Sequence, residues 1–199
     1  MKTTLLCLAL LTAAPAFADS QTLVMLRHGE KPDGGYGQLS CKGLNRSLAL
    51  IKTLPAKFGK ADRIYAPSTA SQKRDPAGTF NYIRPLATIE PTAVSQGLPV
   101  DTTFDMLAID GLRQQLLNPL SHGKTIYIAW EHKQLQQLAS DIMRRYGGKN
   151  GADQVPVWDK NDFDSLYVIT VDYDKGRPAA SFRVDRQGLD DLPAACPGD

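Results

Sequence analysis

The chain of 199 residues lacks several features that would indicate common classes of function. It contains no Cys-x-x-Cys pair and no His/Cys cluster, so no zinc site is predicted. It has no glycine-rich P-loop followed by Lys-Ser/Thr, which argues against nucleoside triphosphate chemistry of that kind. A formal net charge of only +2 gives no reason to expect nucleic acid or an acidic membrane surface as a partner. No apolar run is long enough to span a membrane as a helix.

The N-terminal segment predicts export. Lys2 is followed by an apolar stretch over residues 3–14 and then by the small-residue triplet Ala-Phe-Ala at 16–18. This is the order of a positive region, an apolar region and a cleavage site, so we interpret residues 1–18 as a signal peptide. Residues 19–199 are then the mature chain, which we expect to be a single domain, periplasmic or secreted.

Cysteine is scarce, with three residues in the whole chain. Cys7 belongs to the predicted signal peptide, which leaves Cys41 and Cys196 in the mature protein. In an oxidising compartment these two are expected to form one disulfide, and two separate thiols are the alternative.

Strands and helices alternate along the mature chain, which predicts a three-layer α/β/α sandwich around a mostly parallel sheet. Apolar and β-branched runs predict the strands, and residues spaced three or four apart predict the helices. The predicted strands are 23–26, 63–66, 125–130, 166–171 and 181–184, and the predicted helices are 40–58, 85–95, 106–117 and 135–146.

Arg27-His28-Gly29-Glu30 follows the first apolar strand directly. Side chains at the carboxyl end of a strand in an open α/β sheet face a ligand crevice. Because burial of Arg27 and His28 there is costly without a neutralising partner, we expect an anion such as a phosphoryl group to bind.

This motif resembles the signature of the histidine phosphatase superfamily, the phosphoglycerate-mutase-like proteins. The start of the first helix at Ser40, the segment after a second arginine and a second histidine late in the chain fit the same pattern. The resemblance implies the α/β/α fold and a phosphatase activity that proceeds through a phosphohistidine on His28. In such a site two arginines bind the phosphoryl oxygens, so neither a metal nor a cofactor is expected.

His132 is the candidate second histidine, because it follows the predicted strand 125–130 as His28 follows the first strand. A helix cap or a core histidine is the alternative interpretation. The third histidine, His122, lies in a polar loop and is interpreted as a surface residue.

Two arginines compete for the second position of the pattern. Arg84 stands before Pro85, which favours a helix N-terminus, and Thr88 lies four residues later, as in the family. Arg74 does not match this spacing, so Arg84 is the prediction, as the N-cap of a helix. The stretch 67–83 before it is longer than the family pattern, and could be a lid, a substrate wall or a passive insertion.

The residue that protonates the leaving group is left open by the sequence. Lys133 occupies one place where the family has an acid. Glu131 and Asp105 are the two candidate acids, although Asp105 could instead cap a helix. Asp110 or no acid at all are the further alternatives.

The function predicted from these residues is hydrolysis of phosphate monoesters on a small phosphorylated substrate. Alternatives are a phosphoprotein (phosphohistidine) phosphatase and a non-catalytic phosphoryl-binding protein that uses the same basic pocket. Lys31 and Arg46 are candidates for an outer pocket, and a surface location explains each of them equally well.

Overall fold

In a computed structural model of the chain, which describes residues 20–173 and 176–198, a six-stranded sheet lies between two pairs of helices. The predicted signal peptide falls outside these residues. The sheet strands are β1 (Ser20–Arg27), β2 (Arg63–Tyr65), β5 (Val100–Asp101), β6 (Thr125–Trp130), β7 (Ser165–Asp172) and β8 (Ala179–Arg186). A separate hairpin consists of β3 (Gln72–Asp75) and β4 (Gly78–Asn81), and the helices are α1 (Cys41–Phe58), α2 (Arg84–Gln96), α3 (Ile109–Leu116) and α4 (His132–Tyr146).

The strand order in the sheet is β5-β2-β6-β1-β7-β8. Strands β5, β2, β6 and β1 pair in parallel, and β7 runs antiparallel to both β1 and β8. The predicted α/β/α sandwich with a mostly parallel sheet is therefore confirmed.

The apolar run of β1 is buried on both faces of the sheet, as the central strand of a covered sheet requires. Leu23 and Met25 pack in the cluster under α3 and α4, whereas Val24 and Leu26 pack under α1 and α2. All four side chains are fully buried. At about 1.5–3 kcal/mol for each fully buried aliphatic side chain, this strand anchors both layers.

Several predicted element boundaries differ from the structure. Helix α3 begins at Ile109 rather than at residue 106, and α4 begins at His132, three residues before the predicted start. The predicted loop 67–83 contains the β3–β4 hairpin. The two-residue strand β5 is too short to show a periodic pattern.

The prediction that Arg84 caps α2 was wrong by one residue. Ile83 is the N-cap and Arg84 is the first residue of the helix, so Pro85 takes the next position. Proline is tolerated there because the first-turn N–H groups have no partner within the helix.

The predicted disulfide joins Cys41, at the start of α1, to Cys196 in the C-terminal tail. The Asn45 amide donates to the carbonyl groups of Pro193 and Ala195, at 2.9 and 2.8 Å, and fixes the same tail along α1. Across residues 20–173 and 176–198, none of the helices has the length and apolar character needed to cross a membrane.

Candidate active site

A cavity of about 360 Å³ lies at the carboxyl ends of β1 and β6. Its lining includes five of the predicted site residues, Arg27, His28, Arg84, Glu131 and His132. The remaining lining residues are Lys31, Lys73, Lys160 and Asn161. Parallel neighbours that end together bring side chains far apart in sequence to one edge of the sheet.

The register of β1 against β6 places the two histidines at this edge. Arg27 is paired with Trp130, the last residue of β6, and the backbone N–H of His28 donates to the Trp130 carbonyl at 3.1 Å. Both strands end here, and the chain continues from β1 into a loop at His28 and from β6 into α4 at His132.

The His28 imidazole is oriented by its own backbone neighbour. Its Nδ1 lies 2.7 Å from the carbonyl oxygen of Gly29. Because a carbonyl only accepts, Nδ1 carries the proton and Nε2 is left with its lone pair. Burial lowers the pKa of His28 well below its usual range, and the positive charges of Arg27, Arg84 and Lys73 lower it further. The ring is therefore neutral near neutral pH.

The loop after His28 packs against α1 and α2 without space for side chains. A Cβ on Gly29 would lie 3.0 Å from the Gly43 carbonyl oxygen, and a Cβ on Gly43 would collide with the Glu30 backbone. The Gly29 N–H donates to the Thr88 hydroxyl at 2.9 Å, and this hydroxyl donates to the Arg84 carbonyl at 2.8 Å. Thr88 thus joins the histidine loop to the helix that carries Arg84.

Arg84 is fixed by a carboxylate that the sequence did not indicate. Asp75 accepts two hydrogen bonds from it, Nη1–Oδ2 at 2.6 Å and Nη2–Oδ1 at 3.2 Å, and both side chains are buried. Burial alone would raise the pKa of Asp75, but hydrogen bonds from Arg84 and from the Gly37 N–H hold it below its ordinary value. The pair is therefore charged, and the guanidinium is held in one orientation.

Arg27 is held by the loop before β7. Its Nη1 donates to the Lys160 carbonyl at 2.6 Å, and its guanidinium stacks over the Phe163 ring at 3.8 Å. The buried Nε of Arg27 has no hydrogen-bond acceptor in the part of the chain that the structure describes. The Nε of Arg84 is likewise buried without an acceptor among the described residues.

Glu131 enters the cavity because the chain has already turned out of β6 at this residue. It is the N-cap of α4, and its Oε2 accepts from the backbone N–H groups of Lys133 and Gln134 at 2.9 and 3.1 Å. Its Oε1 lies 3.0 Å from His132 Nδ1 and 3.6 Å from Lys73 Nζ. Burial would raise the pKa of Glu131, but these partners lower it to about 2.

The other two candidate acids do not line the cavity. Asp105 is exposed, and its Oδ1 accepts from the Ser71 hydroxyl at 3.1 Å. It does not cap α3, which starts four residues later with Ala108 as N-cap. Asp110 is exposed in α3 and pairs with Arg113 at 3.1 Å.

Arg46 does not belong to an outer pocket. It is fully buried, and its guanidinium donates to both carboxylate oxygens of Glu30 at 2.8 and 3.0 Å and to Gln187 at 2.9 Å. The role of Arg46 is therefore structural, since it ties the last residue of the motif to α1 and to the C-terminal tail. Lys31, by contrast, lines the cavity. Over residues 20–173 and 176–198, no group of three or more His, Cys, Asp or Glu side chains is placed to hold a metal ion.

No protein-family profile and no curated protein sequence matches this chain. Solved structures do. A mycobacterial glucosyl-3-phosphoglycerate phosphatase in complex with inorganic phosphate aligns over 83% of this chain and 95% of its own, with a TM-score of 0.57 and 12% identity. A Nakamurella multipartitia protein assigned as phosphohistidine phosphatase SixA aligns over 84% and 96%, with a TM-score of 0.53 and 14% identity. Plasmodium falciparum phosphoglycerate mutase aligns over 82% and 89%, with a TM-score of 0.51 and 12% identity.

The chain therefore shares the fold of these two phosphatases and of the phosphoglycerate mutase. In this fold the β3–β4 hairpin contributes Asp75 and Lys73, which the sequence pattern missed, as it also missed Lys160 and Asn161 in the loop before β7. Side chains alternate along a strand, so Lys73 and Asp75 face the site while Arg74 between them is exposed. The turn signal Asp-Pro-Ala-Gly at 75–78 was the one local clue to this hairpin.

Proposed function

We propose that this protein is a phosphatase that hydrolyses phosphate monoesters through a phosphohistidine on His28, without a metal ion. The observation that carries the proposal is the His28 imidazole, whose Nδ1 lies 2.7 Å from the Gly29 carbonyl oxygen, in a cavity lined by Arg27 and Arg84. A nucleophile with a free lone pair beside two guanidinium groups is suited to attack on a phosphoryl dianion.

In the first step His28 Nε2 attacks phosphorus, a P–N bond forms, and the ester P–O bond breaks. Arg27 and Arg84 bind the equatorial oxygens, where charge is concentrated in the transition state. In the second step water attacks the phosphohistidine, the P–N bond breaks, and inorganic phosphate leaves with His28 restored. The arginines supply the positive charge that a metal ion provides in other phosphatases.

Glu131 acts in this proposal as a positioning residue for His132 and not as the acid. A carboxyl with a pKa of about 2 carries no proton near neutral pH. Its Oε1 lies 3.0 Å from His132 Nδ1, and in this proposal His132 donates the proton to the leaving oxygen.

A second candidate function is hydrolysis of a phosphoramidate or another substrate with a good leaving group, as in phosphohistidine. The observation in its favour is that both carboxylate oxygens of Glu131 are engaged, Oε2 by two backbone N–H groups of the first turn of α4 and Oε1 by Lys73 Nζ at 3.6 Å. Such a site is suited to leaving groups that depart with little need for a carboxylic acid.

To test the proposal, the protein is mixed with ³²P-labelled p-nitrophenyl phosphate and the reaction is quenched rapidly without acid. We expect a covalent phosphoprotein that is labile in acid and stable in base, absent in His28→Ala, and unaffected by dialysis against EDTA. A protein that binds phosphate with no label and no turnover would instead be a phosphoryl-binding protein. A loss of activity that added metal restores would overturn the metal-free mechanism.

We also infer that the protein works in an oxidising compartment, because a disulfide closes the domain and the N-terminal segment has the pattern of a signal peptide. Sequencing the N-terminus of the protein from a fractionated cell tests this inference, which predicts Asp19 as the first residue.

A further inference from the structure

The cavity is more basic than a single phosphoryl group requires. Its nine lining residues include five basic side chains and one acidic one. The basic residues are Arg27, Lys31, Lys73, Arg84 and Lys160, and the acidic residue is Glu131. With Asp75 paired to Arg84 behind the lining, the five basic groups face two carboxylates and keep a net charge of +3, one more than a phosphate monoester dianion neutralises.

The carboxylates near the lysines are already engaged by other groups. Asp75 accepts two hydrogen bonds from Arg84 and one from the Gly37 N–H, and Lys31 Nζ is 3.7 Å from its Oδ1. Glu131 accepts two backbone N–H groups and faces His132, with Lys73 Nζ at 3.6 Å. Neither ammonium group therefore has a carboxylate to itself.

The two lysines are placed on the same side of the site through Asp75. Lys73 shares the inward face of β3 with Asp75, and Lys31 makes its ion pair with the same carboxylate from the loop after β1. Their side chains remain accessible from solvent, at 37% exposure for Lys31 and 29% for Lys73. They can therefore meet the part of a substrate that extends out of the cavity.

We propose that Lys31 and Lys73 form a subsite for a second anionic group, a carboxylate or a second phosphate, on the substrate whose phosphoryl group binds at His28. This inference rests on the proposed phosphatase function. It assigns the hairpin inserted before Arg84 a role in substrate selection.

Competition experiments with p-nitrophenyl phosphate as the reporter substrate test the subsite. Each competitor's inhibition constant is read whether or not the protein hydrolyses the competitor. One pair, 3-phosphoglycerate and glycerol 3-phosphate, differs by a carboxylate in place of a hydroxymethyl group. A second pair, glucose 1,6-bisphosphate and glucose 6-phosphate, differs by a phosphate. The two pairs distinguish a carboxylate from a phosphate as the second anion.

We expect the more anionic member of at least one pair to bind about fivefold more tightly or better, and the preference to shrink as ionic strength rises. Lys73→Met and Lys31→Met should each reduce this ratio, and the double variant should abolish it. Arg74→Met is the matched control, because it removes one charge from the outer face of the same strand.

Equal inhibition constants within both pairs, or a preference that persists in the double variant, would overturn the subsite while turnover of p-nitrophenyl phosphate continues. Absence of that turnover in the wild-type protein would instead count against the phosphatase function itself.

Discussion

Asp75 holds Arg84 in a two-point pair, with Oδ2 2.6 Å from Nη1 and Oδ1 3.2 Å from Nη2. The two residues belong to different elements, the β3 strand of the hairpin and the first turn of α2. A guanidinium that is fixed before substrate arrives needs little reorganisation when it binds a phosphoryl group. The hairpin is therefore part of the support of the site.

We predict that Asp75→Asn raises KM and lowers kcat/KM by about 10²-fold, because the amide offers one acceptor and turns a donor toward Arg84. It should also lower the free energy of unfolding by roughly 3 kcal/mol, since a buried charge loses its partner. Steady-state kinetics and thermal melts measure both effects. Asp33→Asn, at an exposed position in the loop after β1, is the control. A wild-type KM in Asp75→Asn would show that Arg84 does not depend on this pair.

Of the two competing arginines, replacement of Arg84 should impair catalysis strongly and replacement of Arg74 should have little effect. Arg84→Ala should lower kcat/KM by about 10³-fold, because a charge-assisted contact to the transition state is lost. Arg74→Ala should stay within about twofold of wild type, since Arg74 is exposed on the outer face of β3. Both variants are assayed on p-nitrophenyl phosphate. The reverse order of effects would mean that Arg74 is the phosphoryl-binding residue.

The pH dependence of stability should report on His28. Its pKa in the folded protein lies well below the value of about 6.5 in an unfolded chain. As the pH falls below about 6.5, His28 binds a proton in the unfolded chain but not in the folded protein. The free energy of unfolding should therefore fall as pH drops from 7 to 5. His28→Asn, which cannot titrate, should show a shallower dependence in urea melts over this window. An unchanged slope would contradict the depressed pKa.

Glu131 gives a separate signal at lower pH. Its pKa falls from about 4.3 in an unfolded chain to about 2 in the folded protein, so the stability it contributes is present above pH 4.3 and is lost as pH falls toward 2. Glu131→Gln keeps an acceptor for the first turn of α4 and removes this dependence.

The kinetics of Glu131→Gln should separate positioning from acid catalysis. If Glu131 positions His132, its loss affects alkyl and aryl phosphates in the same way, and kcat should fall for both. A selective loss of kcat on alkyl phosphates would assign the proton to Glu131 itself. Lys133→Gln, at the exposed position that follows His132 in α4, is the control.

Reduction of the Cys41–Cys196 disulfide should destabilise the protein and spare catalysis. The bridge closes a loop with a sequence separation of 155 residues, for which chain entropy gives on the order of 4–5 kcal/mol as an upper figure. Neither sulfur lines the cavity, so kcat at moderate temperature should be unchanged while Tm falls. Thermal melts with and without reductant, with thiol counting, measure this. A large loss of kcat on reduction would tie the tail to the site.

The sequence determined the fold class and the centre of the site. An apolar run buried on both faces and ending in Arg27-His28 defines a central strand with its functional edge, because local pattern and burial agree there. The run 125–130, followed by His132, carried the same information for the neighbouring strand. Two such strands in one parallel sheet end at the same edge.

Only the tertiary structure decided what supports these residues. The pairing of Asp75 with Arg84, the burial of Arg46 against Glu30 and the approach of Lys73 to Glu131 depend on contacts between elements. Most residues of the stretch 67–83 are polar, and any alternation along it is too short to interpret. Its sequence is therefore as typical of a solvated loop as of a hairpin. The sequence does not distinguish a charged side chain on the surface from one in a buried ion pair. Its role is set by which partners the fold brings within hydrogen-bonding distance, and that information is not local in the sequence.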